Sequence, residues 1–121
     1  MKCLSPICIL VLSLIIFACG NTENNKLIIG NWKGAQWVVG GQPSENMANL
    51  TSFSFDSSGA YTYQYGSSKE TGTYKIANDE LYTTPNNELE MMVKIKKLNG
   101  DSLVFEMNRG GRSEELTLIR K

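Results

Sequence analysis

The sequence predicts an all-β domain, a small eight-stranded antiparallel up-and-down barrel. Two observations predict it. From Leu27 onward apolar residues recur mostly at every second position rather than at helical spacing, and the alternating stretches are cut at short intervals by clusters of Gly, Asn, Asp, Ser and Pro. Nothing suggests helices alternating with strands, so a parallel sheet with crossover helices is not expected. Eight strands with one apolar face must hide that face. A meander of this number does so most simply by closing on itself, which also removes both exposed edges.

The elements follow in order. Ile29 to Val39 reads as the first strand, ended by Gly40-Gly41-Gln42-Pro43. Ser44 to Leu50 is the one long connection, with room for a single helical turn capped by Ser44. Thr51 to Phe55 alternates cleanly before the turn Asp56-Ser57-Ser58-Gly59, where glycine supplies a positive φ. Ala60 to Tyr65 alternates again, and Gly66-Ser67-Ser68 turns the chain. Strands are expected at Thr71 to Ile76 and at Glu80 to Thr84, with Ala77-Asn78-Asp79 and Pro85-Asn86-Asn87 as their turns. Leu89, Met91, Val93 and Ile95 share one face of the next strand, Glu90, Lys94 and Lys96 the other. Asn99-Gly100 is the strongest hairpin signal in the chain. Leu103, Phe105 and Met107 return on the inner face, Arg109-Gly110-Gly111-Arg112 turns once more, and Leu116 and Leu118 face inward on the last strand.

Gly30-Asn31-Trp32, the hairpin Phe55-Asp56-x-x-Gly59-x-Tyr61, Gly72-x-Tyr74, Asp79-x-Leu81 and Leu98-x-x-Asp101-x-Leu103 occur in one order along the domain. This set resembles the small lipocalin-like lipoproteins of Bacteroidetes, and the resemblance runs from Leu27 to the C-terminus. It implies an eight-stranded calyx in which Gly30 and Trp32 belong to the barrel's closed end. True lipocalins are longer and carry an arginine packed over that tryptophan; Arg120 on the last strand is the candidate counterpart. Read without the family, Trp32 is a core aromatic, and either reading speaks to fold rather than to function.

The N-terminus has a different character. Lys2 precedes an apolar run from Ile7 to Ala18, shorter than the roughly 20 residues a membrane-spanning helix needs, and reads as a secretory signal. Ile16-Phe17-Ala18-Cys19 followed by Gly20 resembles a bacterial lipobox. The resemblance implies a signal over residues 1–18, a lipidated Cys19, a polar tether over 19–26 and the barrel domain over 27–121. The alternative is an ordinary signal peptide with Cys19 an incidental thiol. On the lipobox reading the acyl chains anchor the protein firmly in a membrane of the cell envelope, and Gly20 in place of Asp points to the outer membrane.

Composition narrows the function. Twelve basic residues balance twelve acidic ones, which leaves no electrostatic footprint for nucleic acid. The chain has no histidine, hence neither the usual general base near neutrality nor the usual zinc ligand. Glu114 and Glu115 are adjacent and face opposite sides of a strand, so they do not form an acid–base pair. No nucleophile with a base, metal cluster or cofactor motif emerges, and the expected protein is not an enzyme. Tyr61, Tyr63 and Tyr65 share one face of a strand, as do Phe53 and Phe55 on its neighbour. These aromatics are candidate walls for a small apolar or amphipathic ligand, with Gln36 and Gln64 as candidate polar fixing points. The same rows also serve as ordinary cross-strand packing. A fully packed barrel engaging an envelope protein or glycan is therefore the alternative. The Gly40 to Leu50 connection is the candidate lid.

Overall fold

The computed structural model describes residues 23–121, apart from the side chains of residues 45 and 46. A helical turn over residues 23–27 leads into nine strands: β1 (Gly30–Val39), β2 (Gln42–Pro43), β3 (Thr51–Phe55), β4 (Ala60–Tyr65), β5 (Ser68–Ala77), β6 (Glu80–Pro85), β7 (Met91–Leu98), β8 (Ser102–Arg109) and β9 (Arg112–Arg120). We label the first helical turn α1 and the helix at Glu45–Asn49 α2. All pairings are antiparallel between sequential strands, except that β1 pairs with β2, β3 and β9. The β1–β9 ladder closes an eight-stranded barrel, with β2 as a short flap beside β1.

Two expectations need correction. Gly40-Gly41 ends the first strand at Val39 as expected, but Gln42–Pro43 is a short strand and not only a stop: both glycines adopt positive φ and let it pair back onto Val38–Val39 in a tight hairpin. The expected tether is partly docked: residues 23–27 are helical, the Asn24 side-chain amide donates to the Asn78 carbonyl at 3.1 Å, and Ile28 is buried. Cys19 and the signal segment lie outside the described residues.

One end of the barrel is sealed. Trp32, fully buried, donates from its indole N–H to the Ile28 carbonyl at 2.8 Å, which satisfies the one polar group burial would otherwise strand. Arg120 lies over the Trp32 ring, 4.2 Å from its centroid. Its fork donates to the carbonyls of Leu27 at 2.6 Å and Ile29 at 2.8 Å, and its Nε to that of Gly100 at 2.8 Å. A side chain at Gly30 would collide with this guanidinium, and the backbone there takes φ 132°, so only glycine fits. Above this floor Phe55, Leu81, Leu103, Phe105, Leu116 and Leu118 form the core, each worth about 1.5–3 kcal/mol of apolar burial.

The other end stays partly open. The Gly40–Leu50 connection joins β1 to β3 at this end, and α2 folds in over Gly34, where any side chain would run into the Ala48 carbonyl. Ala48 is 1% exposed and belongs to the core, while Thr51 caps the helix end by donating its hydroxyl to the Met47 carbonyl at 2.7 Å.

Candidate ligand-binding site

Strand alternation decides which side chains reach the interior, and a bulge resets it in β1. Trp32 faces Phe53 across to β3, and Gly34 pairs with Leu118 of β9. The register then shifts between Gly34 and Gln36, so that Trp37 pairs with Leu116 and turns inward. Gln36 consequently faces solvent. Gln64 is also exposed, with its amide donating to the Gly66 carbonyl at 3.3 Å. Neither glutamine reaches the interior, and this corrects their expected role as polar fixing points there.

A half-open cavity of about 840 Å³ runs from the barrel interior above the core out to its surface. Phe53, Tyr61 and Tyr63 border it together with Trp37, Phe105 and Leu116. The aromatics are held by one another: Phe53 stacks on Tyr63 at 4.7 Å between centroids and meets Phe105 edge-on at 5.5 Å. Phe55 sits lower, in the core against Tyr61 and Tyr74. Tyr65 stands edge-on to Trp37 at 6.3 Å. The expected aromatic rows thus share the inner face, with Phe53, Tyr61 and Tyr63 on the cavity, Phe55 beneath it and Tyr65 behind Trp37.

Polar groups that sequence reasoning did not single out complete the wall. Tyr61 donates its hydroxyl to Glu70 at 2.7 Å. Burial first, and this carboxylate second, push the Tyr61 phenol far above its ordinary range. Tyr63 is shifted in the same direction by burial. Near the mouth, Glu114 is 7% exposed; it accepts from the Trp37 indole at 2.9 Å and from Arg109 Nε at 3.1 Å and Nη2 at 3.3 Å. The Trp37 indole is thereby locked against the cavity wall. Glu70 was legible from the hairpin register, which sets it opposite Tyr63 on the inner face. Arg109 and Glu114 required the pairing of β8 with β9.

Among the described residues no group of three or more His, Cys, Asp or Glu could hold a metal, and no buried side-chain nitrogen or oxygen lacks a partner. A cavity whose lining is mostly apolar, with a minority of polar groups, suits a molecule recognised chiefly by shape and desolvation.

A family model described as a lipocalin-like domain matches residues 28–105. The chain belongs to the lipocalin-like domain family. That fold class serves binding in general rather than catalysis. Among solved structures, a lipocalin-like protein from Bacteroides uniformis is similar at a TM-score of 0.59 and 16% identity, covering 78% of this chain and 97% of its own. An uncharacterized protein from Bacteroides eggerthii is similar at a TM-score of 0.60 and 13% identity, covering 78% of this chain and 99% of its own. No match is found among curated proteins. At these identities the neighbours speak for the barrel alone.

Proposed function

We propose that this lipocalin-like protein is a lipid-anchored, non-enzymatic binder of a small apolar or amphipathic molecule held inside the barrel. The observation that carries the reading is the cavity of about 840 Å³ walled by Trp37, Phe53, Tyr61, Tyr63 and Phe105. That volume lies within the range of small-molecule sites, and an eight-stranded barrel has an interior wide enough for one small ligand. The rival, a packed barrel whose outer face engages an envelope protein or glycan, requires a filled interior, and the cavity counts against it.

Trp37 provides the test. It borders the cavity, whereas Trp32 is sealed in the floor. Titration with a fatty acid or a retinoid-like probe should change tryptophan fluorescence, and Trp37→Phe should remove most of that change. Solvent extraction of the purified protein should release a hydrophobic compound detectable by mass spectrometry. No released compound together with an unchanged emission spectrum would sink the reading.

The anchoring half rests on Ile16-Phe17-Ala18-Cys19 before Gly20. On this reading the protein sits at the cell envelope, on the outer membrane, with a thioether-linked lipid on Cys19. Cys19→Ala should release the protein from the membrane fraction; retention of the variant there would overturn lipidation.

A further inference from the structure

Strands β7 and β8 separate before either ends. Their ladder runs from Leu98 and Leu103 to Lys94 and Glu106, yet β7 starts at Met91 and β8 continues to Arg109. Over those last three residues each strand is paired only on its far side, Met91–Val93 with β6 and Met107–Arg109 with β9. The barrel is therefore split along its flank at the open end. The cavity passes through the split. Its wall contains the inward-facing Met91, Val93 and Met107, but also Met92, Lys94 and Glu106, which alternate to the outer face. Lys94 and Glu106 form the last rung of the ladder, and side chains from both faces border one space just beyond it, where the two strands part.

The rim of this split is apolar and accessible: Met91 is 50% exposed, Met92 52%, and Leu89 just ahead of them 87%. Against β1, α2 is folded in over Gly34, and no described side chain of the Gly40–Leu50 connection borders the cavity.

We propose that the β7–β8 split is the portal of the binding site, and that the ligand is an amphiphile with a single unbranched acyl chain whose polar head stays in the split. The proposal rests on the binding function proposed above. Met91, Met92 and Met107 are unbranched, flexible and polarizable, so they conform to a chain of methylenes and offer no rigid slot for a ring system. Lys94, Glu106 and Arg109 flank the lip and keep a polar head solvated and paired. The Gly40–Leu50 connection, none of whose described side chains borders the cavity, is then not the gate to it, in contrast to its reading from sequence as the candidate lid.

The five methionines of the chain provide the readout. The wild-type full chain, labelled with carbon-13 at its methionine methyls, is titrated with stearic acid spin-labelled beside the carboxylate. The Met91 and Met92 methyl signals should be lost on binding and return when unlabelled stearic acid is added in excess, while Met47 in α2 keeps its intensity. Loss of Met47 with Met92 intact would place the head at the end of the barrel and overturn the portal, leaving the binding function standing. If no methyl signal responds and tryptophan emission is also unchanged, the binding function fails and the portal with it.

Discussion

Arg120→Ala removes the clamp on the barrel floor, and its cost can be built contact by contact. The hydrogen bond to the part-buried Leu27 carbonyl is charge-assisted and leaves an acceptor with poor access to water, at about 1.5 kcal/mol. The bonds to Ile29 and Gly100 lie in exposed surroundings where water can replace the guanidinium, at about 0.5 kcal/mol each. Loss of the cation over the Trp32 ring adds about 1 kcal/mol. The total is about 3.5 kcal/mol. With a urea slope of about 1.5 kcal/mol/M, the unfolding midpoint should fall by about 2 M. Arg120→Lys retains the charge over the ring but loses the planar fork, and should fall roughly half as far. A midpoint shift below about 0.5 M for the alanine variant, or equal shifts for the two variants, would refute the view that the fork ties the N-terminal segment to the last strand.

Three further outcomes follow from the packing and electrostatics. Gly72→Ala should destabilise by about 2–3 kcal/mol in the same denaturation assay, because its methyl would meet the Thr84 carbonyl and, at 2.9 Å, Pro85 Cα, both backbone atoms that cannot swing aside. Phe105→Ala should cost about 3–5 kcal/mol by enlarging the space above the core, and a loss below about 1 kcal/mol would mean that the ring is not part of a packed wall. Burial raises the phenols of Tyr61, Tyr63 and Tyr74. The folded chain therefore keeps protons that the unfolded chain releases above roughly pH 10, so stability is intact below that pH and declines as alkalinity rises toward the raised values. Urea midpoints that stay constant between roughly pH 9 and 11 would contradict this, as would five phenols titrating together in the ultraviolet.

Much of the barrel was legible because alternation is uninterrupted where strands are short. Thr51–Phe55 and Ala60–Tyr65 carry no bulge, and their bounds agree with the sequence reading at both ends. The β3–β4 turn is equally plain: the Asp56 carboxylate accepts from the backbone N–H groups of Ser58 and Ala60, and Gly59 takes φ 92°. Alternation misleads where the strand carries an extra residue. Counting by twos from Trp32 puts Gln36 inside and Trp37 outside, and only the bulge after Gly34 reverses them. Asn99-Gly100 does mark a hairpin, but the loop runs through Asp101, with the Asn99 side chain accepting from the N–H groups of Asp101 and Ser102. The charged part of the site was least visible, because Arg109 and Glu114 come together only across the β8–β9 hairpin. The flank split lies in a mismatch between strand length and ladder length, a quantity no single strand's pattern contains.

Arg120 grips the carbonyls of Leu27 and Ile29, and the Lys121 N–H donates to Asn31, so both ends of the described chain are gathered at the foot of the calyx. The described chain thus begins at that foot. An acylated Cys19 would stand the molecule base-down on its bilayer, with its rim raised and the gap in its flank turned toward solvent. Cargo would then arrive from across the aqueous space instead of sliding in from the leaflet that holds the anchor.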